Sequence, residues 1–257
     1  MRYVRYKFKS TIHFGKIEGE NIHQISCKPW DPSHKETKEL IPFKNVSILA
    51  PCEPSKVIGV ALNYPGVSSH NHKIAEPLFF LKPGSSVIGP MDQIINPFKD
   101  LDVWGECELA IVIGKTVKKA SEKEAADSIF GYTIANDVSA NNIQNRDHHL
   151  ARSKAADTFC VIGPWIDTDF SPNNQKIQGY HNKTLLREGK LNQRFWKETE
   201  IIVFLSKWMT LYPGDIILTG SPQRVRGREF FINGDSFNCK IEGLGEINNT
   251  YHEENEL

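Results

Sequence analysis

The chain has 257 residues, of which 39% are apolar, and 31 basic side chains balance 31 acidic ones. That length suits one large domain, or a domain with a small extra piece, and the apolar fraction is enough for a core. Zero net charge gives no electrostatic footing for a nucleic-acid partner, and no apolar run approaches the roughly twenty residues of a membrane span.

The N-terminal "RYVRYKFK" alternates, with Val4, Tyr6 and Phe8 on one face and Arg5, Lys7 and Lys9 on the other, which predicts a strand rather than the apolar core of a signal peptide. Residues 1–52 read as a small N-terminal β segment ending in the Pro-rich "LAPCEPSK", and residues 53–257 as the main domain. "KVIGVALNY" predicts a buried strand and "LFFLKP" another, ended by Pro83; the small, polar "PGVSSHNHK" lies between them. "VWGECELAIVIGK" (103–115) reads as one further strand. "SEKEAADSIFG" predicts a helix from a Ser121 cap, with Glu124 completing a capping box, to a closing Gly131. "YTIAND" reads as a strand ending at Asp137. A second helix is predicted over 197–209, turning Ile201, Ile202, Leu205, Trp208 and Met209 to one side. Strand "IILTG" and two late strands around "NGDSFNCKIEG" follow. Strands outnumber helices, so the expected class is a β-rich α+β domain. The five cysteines are odd in number and scattered, with no C-x-x-C, so reduced thiols and a cytoplasmic location are expected.

The chemistry concentrates around "ECE". Alternation along a strand puts Trp104, Glu106, Glu108, Ala110 and Val112 on one face and Cys107 on the other. Two carboxylates on a partly buried face cannot both stay ionised without a cation. With Asp137 at the end of a separate strand, three carboxylates would make an all-oxygen site for Mg²⁺, Mn²⁺ or Ca²⁺ and leave positions open for water and substrate. The same E-x-E spacing also suits a solvated strand face. No G-x-S-x-G, Walker or dinucleotide glycine pattern occurs.

From Lys56 to Asn249 the chain resembles the fumarylacetoacetate hydrolase family. The pieces that carry the resemblance run in order: "VIGVALNY", "PLFFLKP", "ECELAIVIGK", "GYTIANDVSA", "SKAADTF", "IGPW", "TLYPGDIILTGSP" and "GLGEINN". The resemblance implies a mixed β-roll, commonly a homodimer, with Glu106, Glu108 and Asp137 on Mg²⁺ or a similar ion. It implies Lys154 in the active site and Thr219 and Gln144 near substrate. It further implies action on a small 2-oxo or β-diketo carboxylic acid, by C–C hydrolysis, decarboxylation or isomerisation through a metal-stabilised enolate. The alternative is a degenerate member that binds metal and ligand without turnover.

Two departures motivate that alternative. Many relatives read N-Y-x-x-H-x-x-E, but "NYPGVSSHNHKIAE" has Val67 at the His position and His70 at the Glu position. "SSHNH" resembles a later histidine of fumarylacetoacetase and points to His72. If "SHNHKIAE" forms a short helical lid, His72 and Glu76 lie at i and i+4, so Glu76 can orient His72 as the general base. His70 is the second candidate for the base and a candidate substrate contact. The usual N-D-x-x-A-R-D-x-Q reads "NDVSANNIQ" here, with Asn141 and Asn142 for Arg and Asp; Arg146, Arg152, Arg224, Arg226 and Arg228 are the candidate replacements.

Overall fold

The computed structural model describes residues 1–67, 71–98, 101–141, 147 and 149–254. Near-continuous apolar runs such as "ELAIVI" are what a strand covered on both faces requires, and Cys107–Ile113 is buried at every position. This strand lies in the middle of a mixed twelve-stranded sheet. Ile129–Asp137 pairs antiparallel on one side, with Glu108 opposite Ala135, and Ile216–Leu218 on the other. Lys56–Ala61 runs parallel to Ile216–Leu218, and Leu78–Pro83 forms the edge beyond it. On the far side Cys160–Asp167 follows Ile129–Asp137 and receives the N-terminal strand Arg2–Phe8, so the first segment extends the same sheet. That strand buries Val4 and Tyr6 on the predicted face, where Ile22 and Ile41 cover them.

A second sheet of five strands runs Thr184–Lys190, Lys176–His181, Ser236–Ile241, Gly245–Glu253 and Ile94–Asn96. Leu109, Ile134, Phe237, Cys239 and Ile247 share one buried cluster and join the two sheets. Ile111, Ile113 and Ile217 pack instead beneath Ile201, Ile202 and Leu205 of the helix Glu198–Trp208. The architecture is the expected β-rich α+β fold, a mixed β-roll with a small N-terminal β piece. All five cysteines are free thiols. No described helix is long and apolar enough to cross a membrane.

Three local expectations change. "VWGECELAIVIGK" is two strands, not one. Val103–Trp104 pairs with Ser139–Ala140, and the main-sheet strand begins at Cys107. Between them, a Cβ on Gly105 would fall 2.5 Å from the Phe237 ring, so the chain passes where only glycine fits. The first helix has the predicted Ser121–Glu124 capping box but spans only Glu122–Asp127. Gly131 lies inside the next strand, because Ile129 onward pairs with Cys107–Ile113 and sheet pairing overrides local helix preference. Trp208 is 64% exposed rather than part of the helix's buried stripe.

Candidate active site

The break at Gly105 places Glu106 just off the end of the sheet. Its backbone is held there: the Asn136 side chain accepts from the Glu106 N–H at 3.0 Å, and the Asp137 N–H donates to the Glu106 carbonyl at 2.9 Å. Glu108 lies one pleat further along, and Asp137 ends the neighbouring strand. The three expected ligands therefore come together, with one carboxylate oxygen of each within 4.8 Å of the others. Glu108 and Asp137 are almost fully buried, and Glu106 is half-buried.

The Gly220 N–H donates to Glu108 Oε2 at 2.6 Å. Gly220 has φ +94°, and a Cβ there would lie 2.9 Å from that of Asn63. Asn63 donates to the Thr219 carbonyl at 2.8 Å and so fixes this turn. The "LNY" and "LTGSP" pieces thus brace one ligand without contacting the metal position.

Lys154, at the end of the short helix Ala151–Lys154, donates to Asp137, to Ser139 and, at 3.1 Å, to Glu106 Oε2. Two further cations complete the cluster. Lys82 is fully buried; its Nζ donates to the carbonyls of Val138, Lys154 and Phe159 at 2.7–3.0 Å and lies 2.8 Å from Asp137 Oδ1. Arg187 Nη2 donates to Glu106 Oε1 at 2.7 Å, and Nη1 to the Pro222 carbonyl at 2.8 Å.

These placements set the charges. Burial pushes the Glu106 carboxyl up, but Lys154 and Arg187 outweigh it and bring it down to about 2. Burial, and then the Asp137 and Glu106 charges, push Glu108 well above the ordinary carboxylate range. Burial works against the Lys154 ammonium, yet Asp137 and Glu106 raise it above its usual value. In Lys82 burial prevails, and its ammonium is lowered despite Asp137.

The residues fit a hard divalent cation. The donors are three carboxylates, each with one oxygen within reach of a common point. Burial and the neighbouring carboxylates push the Glu108 carboxyl up, and an ion bound against it would favour its ionised form.

The acids open onto a cavity of about 380 Å³, walled by Val67, Phe80, Trp104, Lys154 and Arg187, with Arg224, Arg226 and Arg228 also on its lining. Thr219 is fully buried behind it and donates its hydroxyl to the Leu109 carbonyl at 2.9 Å, so it shapes the turn rather than lining the cavity. His72 and Glu76 are exposed and not on the described lining. Residues 71–77 form bends rather than the helix assumed for the i, i+4 pairing, and Pro77 disfavours helix at Glu76. His70, Gln144 and Arg146 lie outside the described residues.

Comparison with known proteins agrees with this geometry. Residues 56–251 match the family described as fumarylacetoacetate (FAA) hydrolase C-terminal, and residues 1–51 match the one described as Rv2993c-like, N-terminal. The chain belongs to the fumarylacetoacetate hydrolase family. It is an enzyme of the hydrolase or isomerase type. It is 37% identical over 285 residues to human "Oxaloacetate tautomerase FAHD2A, mitochondrial", covering 97% of this chain and 91% of that one. The solved 2-hydroxyhepta-2,4-diene-1,7-dioate isomerase from Mycobacterium marinum superposes with TM-score 0.90 at 35% identity, covering both chains completely. Maleylpyruvate hydrolase from Sphingobium sp. SYK-6, solved in complex with manganese(II) ion and pyruvate, superposes with TM-score 0.79 at 28% identity over 99% of this chain and 100% of that one.

Sequence reasoning missed Lys82 and Arg187. Lys82 had a signal: in Leu78–Pro83 it shares the inward face with buried Phe80, and a lysine on a buried face needs anionic or carbonyl partners. Arg187 had none, since "TLLREGK" puts apolar residues on both sides of its strand.

Proposed function

We propose that the enzyme is divalent-metal-dependent and acts on a small 2-oxo or β-diketo carboxylic acid, with Mg²⁺ or Mn²⁺ held by Glu106, Glu108 and Asp137. The observation that carries this reading is the convergence of those three carboxylates on the floor of the cavity. A bound cation would polarise the adjacent carbonyl and carboxylate oxygens of the substrate and so acidify the neighbouring C–H.

The chain's own groups supply the remainder. Lys154, fixed at the cavity wall, provides a persistent positive charge beside the developing oxyanion. Arg187 holds Glu106 ionised and in place. Phe80, Trp104 and Val67 reduce water access around the reacting centre. Without a helix to set the i, i+4 pairing, Glu76 is given no orienting role; His72 alone is the proposed general base, and proton transfer by the imidazole gives isomerisation or, through an activated water, C–C hydrolysis. Gln144 and His70 are the proposed substrate contacts. We take residues 1–52 as a separate module joined edge-on to the catalytic domain 53–257, and a cytoplasmic homodimer as the working form; support for the dimer is the family resemblance alone.

The test is ultraviolet absorbance of oxaloacetate and of an acylpyruvate with and without Mg²⁺ or Mn²⁺. Metal-dependent loss or enol–keto exchange is expected. Binding of metal and oxalate without any turnover of either compound would favour the non-catalytic alternative.

A further inference from the structure

The segment Pro222–Phe231 carries three arginines that the chemistry above does not use. Arg224 is half-buried, Arg226 and Arg228 are exposed, and all three line the cavity around the acids. Among the described residues none of the three pairs with a carboxylate within 4.0 Å. Arg228 stacks over Trp104 at 4.4 Å, and its Nη1 is 3.4 Å from Asn141 Oδ1. Burial and the Arg187 and Arg228 charges hold Arg224 below its ordinary value, so the rim is crowded with like charge.

The segment is tied to the site at three points. Arg187 donates to the Pro222 carbonyl, the Val225 N–H donates to the Leu186 carbonyl at 2.9 Å, and the Phe231 N–H to the Val103 carbonyl at 2.8 Å. The acids on the floor do not neutralise its charge. Glu106 already faces Arg187 and Lys154, and Asp137 faces Lys82 and Lys154. With a divalent ion on the floor, the cavity holds more positive charge than one carboxylate can balance. Arginine, a planar fork of donors that stays charged, suits a carboxylate better than it suits bare solvent exposure.

We propose that Arg224 and Arg226 bind a second anionic group at the far end of the substrate, so that the enzyme selects 2-oxo dicarboxylic acids over 2-oxo monocarboxylic acids of equal length. This rests on the reading that the metal floor takes the 2-oxo acid head. Arg228, held against Trp104, forms the wall beside them.

The test is calorimetric binding to the Mn²⁺-loaded protein of two length-matched pairs, 2-oxoglutarate with 2-oxopentanoate and 2-oxoadipate with 2-oxohexanoate. A charge-assisted hydrogen bond is worth about 1.5–3 kcal/mol, or roughly 10- to 100-fold in affinity. In at least one pair the diacid should bind at least about tenfold tighter, with an advantage that shrinks as salt rises. The double variant Arg224→Gln/Arg226→Gln should remove that advantage, changing monoacid affinity less than about twofold. Equal affinities within both pairs, or discrimination that survives in the double variant, overturns the proposal while leaving the metal-floor reading intact. If no 2-oxo acid binds the Mn²⁺-loaded protein, both fall. A double variant whose circular dichroism and melting differ from wild type is replaced by Arg226→Gln alone, for which at least half of the logarithmic advantage should disappear.

Discussion

Lys82→Met tests how far a buried cation organises the site. The ammonium joins the ends of three segments: the carbonyls of Val138 and Phe159, which flank the Asp137 strand end, and that of Lys154, which ends the short helix. Methionine is similar in length and fills the space without donors. Three hydrogen bonds from a charged donor, at roughly 1.5–3 kcal/mol each, sum to about 4.5–9 kcal/mol. That sum is an upper bound, because the substitution also removes the several kcal/mol required to bury an ammonium. The net falls in the range for breaking a buried pair, about 3–5 kcal/mol. For a chain of this size that is about 6–10 °C in Tm, at about 2 °C per kcal/mol. Urea unfolding in EDTA measures it without linkage to metal. Asp137 also loses one of its two cations, so Mn²⁺ affinity, measured separately, should change even though Lys82 is not a ligand. A loss below about 1 kcal/mol with unchanged Mn²⁺ affinity would refute the reasoning, since the three carbonyls and Asp137 would then be satisfied without Lys82.

Three further outcomes are expected. Glu108→Ala should abolish calorimetric Mg²⁺ and Mn²⁺ binding, and with it the stabilisation of about 2.7 kcal/mol that wild type gains at a hundredfold excess over Kd; retained affinity would remove Glu108 from the ligand set. His72→Ala should lower kcat by at least about a hundredfold while metal affinity persists, with a much smaller effect for His70→Ala; the reverse order would transfer the base to His70. Burial opposes ionisation of Asp235, but bonds from the Ile232 N–H, Asn182 and His181 outweigh it and keep the carboxyl below its ordinary value. A depressed folded value contributes stability that is present above about pH 4 and lost as pH falls further. Wild type should therefore lose more Tm between about pH 5 and pH 3 than Asp235→Asn, and parallel acid limbs would show that Asp235 is not responsible.

Much of the site was legible before the fold was known. Glu106, Glu108 and Asp137 followed from like charges beside an apolar run and from the ordered motifs, and the Ser121–Glu124 box and the Val4/Tyr6 face followed from local rules that need no tertiary partner. Alternation and capping depend on chain geometry within a few residues, so the sequence alone determines them. What it could not determine is where an element stops when a distant partner decides. Gly131 became strand because Val112 lies across from it, and the ECE strand breaks at Gly105, where the chain passes too close to Phe237 for a side chain. The same holds for charge. Lys82, Lys154 and Arg187 reach the carboxylates from positions up to 81 residues apart in the chain, Arg187 and Glu106 being the widest pair. Periodicity records that a side chain is buried, whereas which opposite charge it meets is fixed only when the two sheets close on each other.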